Sequence, residues 1–287
     1  MRLVGRVAVH QVGRYDPTMV ISGEEFWRAS VTPDGPATLH VWPSADGFDA
    51  EAFGPGREWL LRTVPDLLGQ NDVVPVIEPH HDAVAKALDR HPTPTIGASH
   101  LVMHALIPAI LGQRVTGLEG VQQWTRLCRE FGGPAPGPKA LTLPPDVAAL
   151  STVPYWALHK FGMERRRADT IRHAARHAAR IEGLGYAEPA EAARVLGLVP
   201  GIGAWTIAVT VGPALGDPDA VAVGDFHLKN IVSFALAGEP RGTDERMLEL
   251  LAPYLGQRAR VIALLITDGW SAPRFGPRRA IENITRR

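Results

Sequence analysis

Several features that often reveal the class of a protein are scarce in this chain of 287 residues. Its single cysteine, Cys128, excludes an internal disulfide, a structural zinc knuckle and a four-cysteine iron–sulfur cluster. No run of about 18 apolar residues occurs, so the sequence predicts no transmembrane helix. The first residues carry too short an apolar stretch for a signal peptide, and we expect a cytoplasmic protein.

An excess of one charge sign is also lacking, because 30 basic side chains balance 30 acidic ones. A nucleic-acid binder usually shows a basic footprint. The charges are unevenly placed, with 8 basic against 13 acidic in residues 1–100 and 22 against 17 in residues 101–287. This asymmetry is compatible with nucleic-acid binding by the second part and equally with chance.

Residues 1–95 have the pattern of a β-rich domain. Residues 6–10 and 26–31 alternate between apolar and other side chains, which predicts two half-buried strands. The turn sequence Thr32-Pro33-Asp34-Gly35 then joins the second of these to a further strand at residues 37–42, giving a hairpin.

Two helices, over residues 54–61 and 80–88, are expected to complete this part of the chain. His80, His81 and Asp82 invite interpretation as a metal site. Consecutive residues of a helix point to different sides, and no further ligand is evident. The start of a helix is therefore the preferred interpretation.

From residue 96 to residue 287 the pattern is helical, which gives a second domain and an α+β fold class. The segment at residues 134–145 is rich in proline and forms a connection. A later helix, from residue 165 to about residue 181, carries six arginines. These side chains either meet a phosphate backbone or form a solvated helix face.

The stretch with the clearest chemical meaning is Val199-Pro200-Gly201-Ile202-Gly203. It separates two helical segments, residues 189–196 and 204–211. Glycines at positions 201 and 203 leave a hairpin with exposed backbone N–H groups in front of a helix N-terminus. Unpaired amides and the helix dipole both favour an anion such as a phosphate oxygen.

Two further features stand at definite distances from this hairpin. Asp225 lies 22 residues after Gly203, and the segment Ile110-Leu111-Gly112-Gln113 lies about 90 residues upstream. Together these motifs resemble the helix-hairpin-helix (HhH-GPD) DNA glycosylase superfamily. Within that superfamily, the likeness is closest to 3-methyladenine DNA glycosylase II, the alkylation-repair branch.

The resemblance implies a small β-rich N-terminal domain, residues 1–95, followed by a mostly α-helical glycosylase domain, residues 96–287. It implies double-stranded DNA with a damaged base as the partner, no membrane, and a monomer. No cofactor or metal is expected, although members of the superfamily can hold a monovalent cation on the hairpin carbonyls.

By the same resemblance, Asp225 is the catalytic residue. Cleavage of an N-glycosidic bond builds positive charge on the sugar, and a nearby carboxylate stabilises that charge. The base must leave the stack before its anomeric carbon can be reached. An Asp before a helix can also act simply as the helix cap, which is the alternative for this residue.

Trp205 occupies the position at which bifunctional members carry a Lys nucleophile, so a Schiff base is not expected. The alkylation-repair branch has Trp there, in the base pocket, where an indole face favours a positively charged purine. The alternative is a Trp that only packs the hairpin.

The remaining site residues are assigned to DNA binding. Gly201, Ile202 and Gly203 are expected to bind phosphate through their backbone amides. Arg114, the residue after Gln113, is expected to enter the duplex where the base has left; its alternative is an ordinary surface arginine in a loop. Gln113, Thr206 and Lys229 complete this group.

Two positions depart from the pattern of the family. Val209 and Leu265 stand where further pocket aromatics are expected, and this puts the usual 3-methylpurine preference in doubt. The basic tail at residues 273–279 is assigned no role.

The function predicted from the sequence is a monofunctional DNA glycosylase that removes damaged, alkylated purines in base excision repair. One alternative is a non-catalytic binder of distorted or branched DNA, favoured by the neutral charge and the missing aromatics. Another is a glycosylase for oxidised or deaminated bases.

Overall fold

One antiparallel sheet contains the described strands of the molecule. The computed structural model describes residues 3–45 and 47–273, and the tail from residue 274 onwards lies outside them. Each strand pairs with its neighbour in chain order: β1 (Met19–Ser22), β2 (Glu25–Thr32), β3 (Gly35–Ser44) and β4 (Gly47–Phe53).

The predicted hairpin is confirmed in the pairing of β2 with β3. Thr32 pairs with Gly35, which leaves Pro33 and Asp34 as the turn. Gly35 has φ +114°, a conformation that glycine adopts without strain. The turn therefore formed where the sequence indicated it.

The predicted strand at residues 6–10 is wrong. A short helix, α1 (Leu3–Val7), runs into a 3₁₀ turn at Ala8–His10. The buried side chains here are Leu3, Val7 and His10, whose spacing is that of one helix face. The alternation read from these residues did not reflect which side chains are buried.

The other main elements of the described chain are helices, and with the sheet they confirm the α+β class. They are α2 (Arg57–Leu67), α3 (Asp82–Arg90), α4 (Val102–Leu111), α5 (Gly117–Phe131), α6 (Val147–Thr152), α7 (Tyr155–His159), α8 (Arg165–Arg176), α9 (Ala178–Glu182), α10 (Pro189–Leu196), α11 (Ala204–Leu215), α12 (Leu228–Ala237), α13 (Asp244–Leu251) and α14 (Arg258–Thr267).

Apolar side chains of the described residues gather in three main cores. The first lies between the sheet and helices α1 and α2. The second fills the space among α4, α5, α8, α10 and α11. The third joins α12, α13 and α14 to α3, a helix that precedes residue 95. The division of the chain at residue 95 therefore stays a prediction.

The helix-start interpretation of the histidine pair agrees with the structure, because α3 begins at Asp82, directly after His81. The ring Nδ1 of His81 lies 2.8 Å from the hydroxyl of Tyr254. Within residues 3–45 and 47–273, no group of three His, Cys, Asp or Glu side chains is placed to hold a metal ion. The helices of the same residues include none with the length and apolarity to cross a bilayer.

Candidate active site

Asp225 lies in the turn that precedes α12. Its Oδ1 accepts hydrogen bonds from the backbone N–H groups of His227, at 2.8 Å, and Leu228, at 3.0 Å. Gly224, with φ +91°, makes the turn that brings the carboxylate to these amides. Asp225 thus caps the helix, and its half-buried side chain remains open to solvent on one side.

The second carboxylate oxygen of Asp225 faces the hairpin helix. The indole Nε1 of Trp205, in the first turn of α11, donates to Oδ2 at 3.1 Å. The far edge of the indole lies against Gly112, where a Cβ would come within 3.2 Å of Trp205 Cη2. The structure therefore brings together Asp225, Trp205 and the segment before Gln113.

The hairpin itself ends in an uncapped helix. Gly203 precedes α11, and no side chain caps the first turn. Gly201, Gly203 and Ala204 are exposed, whereas Ile202 is buried and its N–H donates to Val199 O at 3.1 Å. Phosphate is therefore expected on the amides at positions 201, 203 and 204, because the amide of Ile202 is used within the turn.

Gly201 is required by its surroundings as well as by its backbone. Its φ is +92°, and a Cβ there would lie 2.0 Å from Thr170 Oγ1 of α8. A left-handed conformation and close packing both select glycine at this position. The hairpin therefore packs against α8 at this point.

Gln113 binds the hairpin from the loop between α4 and α5. Its Nε2 donates to Gly201 O at 3.0 Å and to Thr206 Oγ1 at 2.8 Å. Thr206 is 2% exposed, which argues against a direct contact between its side chain and DNA. Gln113 and Thr206 thus hold the hairpin in place within the protein.

The family resemblance allows a monovalent cation on the hairpin carbonyls, and two of these carbonyls already accept hydrogen bonds within the protein. Val199 O accepts from Ile202, and Gly201 O accepts from Gln113. A cation would have to share these oxygens, and no step proposed below depends on one.

Arg114 is exposed and has φ +57°, a left-handed conformation that non-glycine residues rarely adopt. Two residues later, Thr116 forms a reciprocal capping box with Glu119 that fixes the start of α5. The loop therefore presents Arg114 to solvent at a definite place.

Arg167 supports the same loop from inside. It is 4% exposed, and its Nη1 donates to Leu111 O, the last carbonyl of α4, at 2.7 Å and to Gln123 Oε1 at 2.8 Å. This role could not be predicted from the sequence, because Arg167 stands in a run of arginines. Its burial distinguishes Arg167 from the other arginines of the run.

The arginine run is therefore not one phosphate-binding face. Arg165 and Arg172 form ion pairs with Asp169 of the same helix. Arg176 and Arg180 are exposed, as expected for a solvated surface. Arg165 and Arg166 are exposed as well, and Arg167 is the one buried arginine of the six.

Lys229 lies on the first turn of α12. Its Nζ is 3.4 Å from Asp244 Oδ2, and Asp244 Oδ1 accepts from the backbone N–H of Gly224 at 3.0 Å. Lys229 is thus linked, through Asp244, to the turn that carries Asp225. Asp244 was not identified from the sequence.

Phe226 is a second residue that sequence reasoning missed. It follows Asp225 directly and is 76% exposed, with its ring edge-to-face against His227. Phe226 is thus an exposed aromatic side chain next to the carboxylate in sequence, whereas Val209 and Leu265 stand where pocket aromatics were expected. Leu265 is fully buried in the third core, and Val209 is half-buried.

No protein-family model matches the chain, and no curated protein matches it significantly. Solved structures do. The chain is similar to a 3-methyladenine DNA glycosylase from Archaeoglobus fulgidus, with a TM-score of 0.74, 19% identity, and 92% of this chain and 94% of that chain covered.

Two further structures were solved with DNA. An 8-oxoguanine glycosylase/lyase from Clostridium acetobutylicum, bound to duplex DNA, has a TM-score of 0.59 at 10% identity over 85% of each chain. A 3-methyladenine DNA glycosylase from Schizosaccharomyces pombe, bound to abasic DNA, has a TM-score of 0.52 at 14% identity over 65% of this chain and 90% of that chain.

These likenesses establish the fold. The chain shares it with DNA glycosylases, both those named for 3-methyladenine and that named for 8-oxoguanine. Two features described above, an exposed glycine hairpin before a helix and a carboxylate beside it, lie on this fold.

Proposed function

We propose that the protein is a monofunctional DNA glycosylase that hydrolyses the N-glycosidic bond of damaged, alkylated purines in duplex DNA. The observation that carries this proposal is the placement of the Asp225 carboxylate against the indole of Trp205, next to an uncapped helix N-terminus. An anion site, an aromatic surface and a carboxylate are the groups that base removal requires.

The reaction begins when the protein binds the DNA strand. The hairpin amides and the N-terminus of α11 bind a backbone phosphate, and Arg114 enters the space that the damaged nucleotide leaves. The extruded base lies against the indole face of Trp205, which favours a positively charged purine.

Asp225 then acts on the sugar. As the N-glycosidic bond breaks, the electron pair leaves with the base and positive charge develops on the sugar ring. The carboxylate stabilises that charge, and water adds to the anomeric carbon and releases a proton to solvent, which gives an abasic site. Trp205 offers no amine, and Lys229 faces Asp244, so water is the nucleophile.

The test is base release from methylated duplex DNA, read by chromatography of the free bases. The wild type is compared with Asp225→Asn, and with Asp49→Asn as a control for the same change on exposed strand β4. We expect Asp225→Asn to lower the rate about 100-fold or more, with the control unchanged. Equal release by all three proteins would remove Asp225 from the mechanism.

Absence of release by the wild type, with tight binding to the same DNA, would favour the non-catalytic binder. A panel of oxidised and deaminated duplexes then decides the lesion class. Release from one of those substrates alone would replace the alkylated purine in this proposal.

A further inference from the structure

Trp205 contacts Asp225 through its indole N–H group. The Nε1–H of the indole is aimed at Asp225 Oδ2, while Oδ1 is held by two backbone N–H groups. All three donors bind the charged carboxylate, and bonds of this kind are stronger than neutral ones. A face of the indole that stacks on a base does not require this arrangement.

We propose that Trp205 is a positioning residue that fixes the rotation of the Asp225 carboxylate, an inference that rests on the proposed function. The two backbone donors bind Oδ1 only, so Oδ2 has no partner among them. The indole bond to Oδ2 adds a third point of attachment, and rotation about the Cβ–Cγ bond would then break hydrogen bonds at both oxygens. The carboxylate is then held in one orientation before the nucleotide arrives.

The far edge of the Trp205 indole is itself supported by a neighbouring segment. Its Cη2 lies against Gly112, and this glycine precedes Gln113, whose amide binds Gly201 and Thr206 at either side of the hairpin turn. The segment at 112–113 thereby supports both the ring and the helix that carries it. A contact that misplaces the ring would misplace the carboxylate with it.

Two roles for Trp205 predict different results. Trp205→Phe keeps an aromatic ring but loses the N–H together with part of the indole's bulk, whereas replacement by 3-benzothienylalanine loses the N–H and keeps the shape of the indole. If Trp205 positions Asp225, both changes lower the single-turnover rate of base release about 10- to 100-fold. The dissociation constant for the same DNA stays within about threefold, since the phosphate and wedge contacts are intact.

Trp156→Phe, an exposed tryptophan on α7, is the control for loss of an indole and is expected to behave as the wild type. Release at the wild-type rate by the benzothienylalanine protein would overturn the inference, because the ring surface alone would then suffice.

The support from Gly112 gives a second variant. Gly112→Ala brings a methyl group to within 3.2 Å of Trp205 Cη2, whereas a Cβ at Gly117, in the same region, meets open space. Gly112→Ala is expected to lower the rate up to about tenfold, and Gly117→Ala to leave it unchanged. Equal rates for the two variants would contradict the supporting role.

One measurement does not depend on activity. The indole ¹⁵N–¹H signal that Trp205→Phe removes belongs to Trp205, and Asp225→Ala is expected to shift it upfield by removing the acceptor. If the wild type releases no base from any duplex, the proposed function fails, and this signal alone decides the positioning role. An unmoved signal would refute it.

Discussion

Arg114 combines an exposed charge with a strained backbone. Its φ of +57° places the residue where a Cβ is disfavoured by about 1 kcal/mol. Strain of this kind persists when surrounding structure imposes it, here the end of α4 and the capping box of α5. The backbone strain is therefore stored at Arg114, the side chain of this loop that is proposed to enter DNA.

Substitution of Arg114 separates strain from function. Arg114→Gly is expected to resist urea unfolding better than Arg114→Ala by about 1 kcal/mol, because only glycine relieves the left-handed conformation. Both variants lose the side chain, so both are expected to release damaged bases more slowly than the wild type. Wild-type release by either variant would exclude the wedge role, and equal unfolding midpoints would exclude the strain.

At the scale of elements, the hairpin before α11 contains two glycines with different requirements. Gly201 has φ +92° and abuts Thr170, whereas Gly203 has an extended backbone with φ −117° and open space around its Cβ position. The first glycine is needed for folding of the turn. The second leaves open space in front of α11, which on the proposed function admits a DNA phosphate.

Gly201→Ala is therefore expected to lower the free energy of unfolding by more than about 1 kcal/mol and to weaken DNA binding. Gly203→Ala is expected to unfold as the wild type does and still bind DNA less tightly, because its methyl group stands on the exposed face of the hairpin. Denaturation and fluorescence anisotropy with labelled duplex measure the two effects. Wild-type affinity of Gly203→Ala would refute a phosphate contact there.

Elements that depend on local backbone chemistry could be predicted from the sequence. The turn at Pro33 and Asp34 and the break at Gly201 both follow from residues that fix or free φ. The short alternation at residues 6–10 misled, because five residues fit a strand and a helix end equally well. Sequence periodicity distinguishes a strand from a helix only over longer stretches.

Contacts between distant residues could not be predicted in this way. Gln113 lies 88 residues from Gly201, and Arg167 lies 56 residues from Leu111. Whether an arginine points inward depends on which helix packs against it, and the run in α8 carries no local sign of that. The same holds for the bond between Trp205 and Asp225, although their spacing matched the family pattern.

At the scale of the whole molecule, a buried polar network joins the sheet to the helices. Arg28 of β2 lies 3.4 Å from the ring of His104 of α4, and Thr18 contacts the same ring. Burial lowers the pKa of Arg28 to about 10 and lowers the pKa of His104 well below its ordinary value. Glu182 of α9 belongs to the same region and accepts from Met103 N at 2.8 Å.

Burial raises the pKa of Glu182 from 4.5 to about 7, against the opposing effects of backbone hydrogen bonds and of Arg28. The folded state therefore holds this proton more tightly than the unfolded state. The protonated Glu182 side chain therefore stabilises the folded state fully below about pH 4.5. This contribution to the free energy of unfolding is lost as the pH rises towards 7.

Glu182→Gln is expected to unfold with less dependence on pH between 5 and 8, and to exceed the wild type by about 2 kcal/mol at pH 8. Glu58→Gln, a change on an exposed side chain, is the control. Urea unfolding at several pH values measures the difference. A constant gap between wild type and Glu182→Gln across this range would contradict the raised pKa.

The two hydrogen bonds from Gln113 to Gly201 and Thr206 have a consequence for how the proposed glycosylase would move along DNA. One amide nitrogen joins the loop of Arg114 to Gly201, so the side chain proposed to enter the base stack and the hairpin proposed to bind phosphate are held at a fixed separation. Neither contact advances while the other stays. On the proposed function, a search along undamaged duplex would therefore move both contacts together rather than by an inchworm motion.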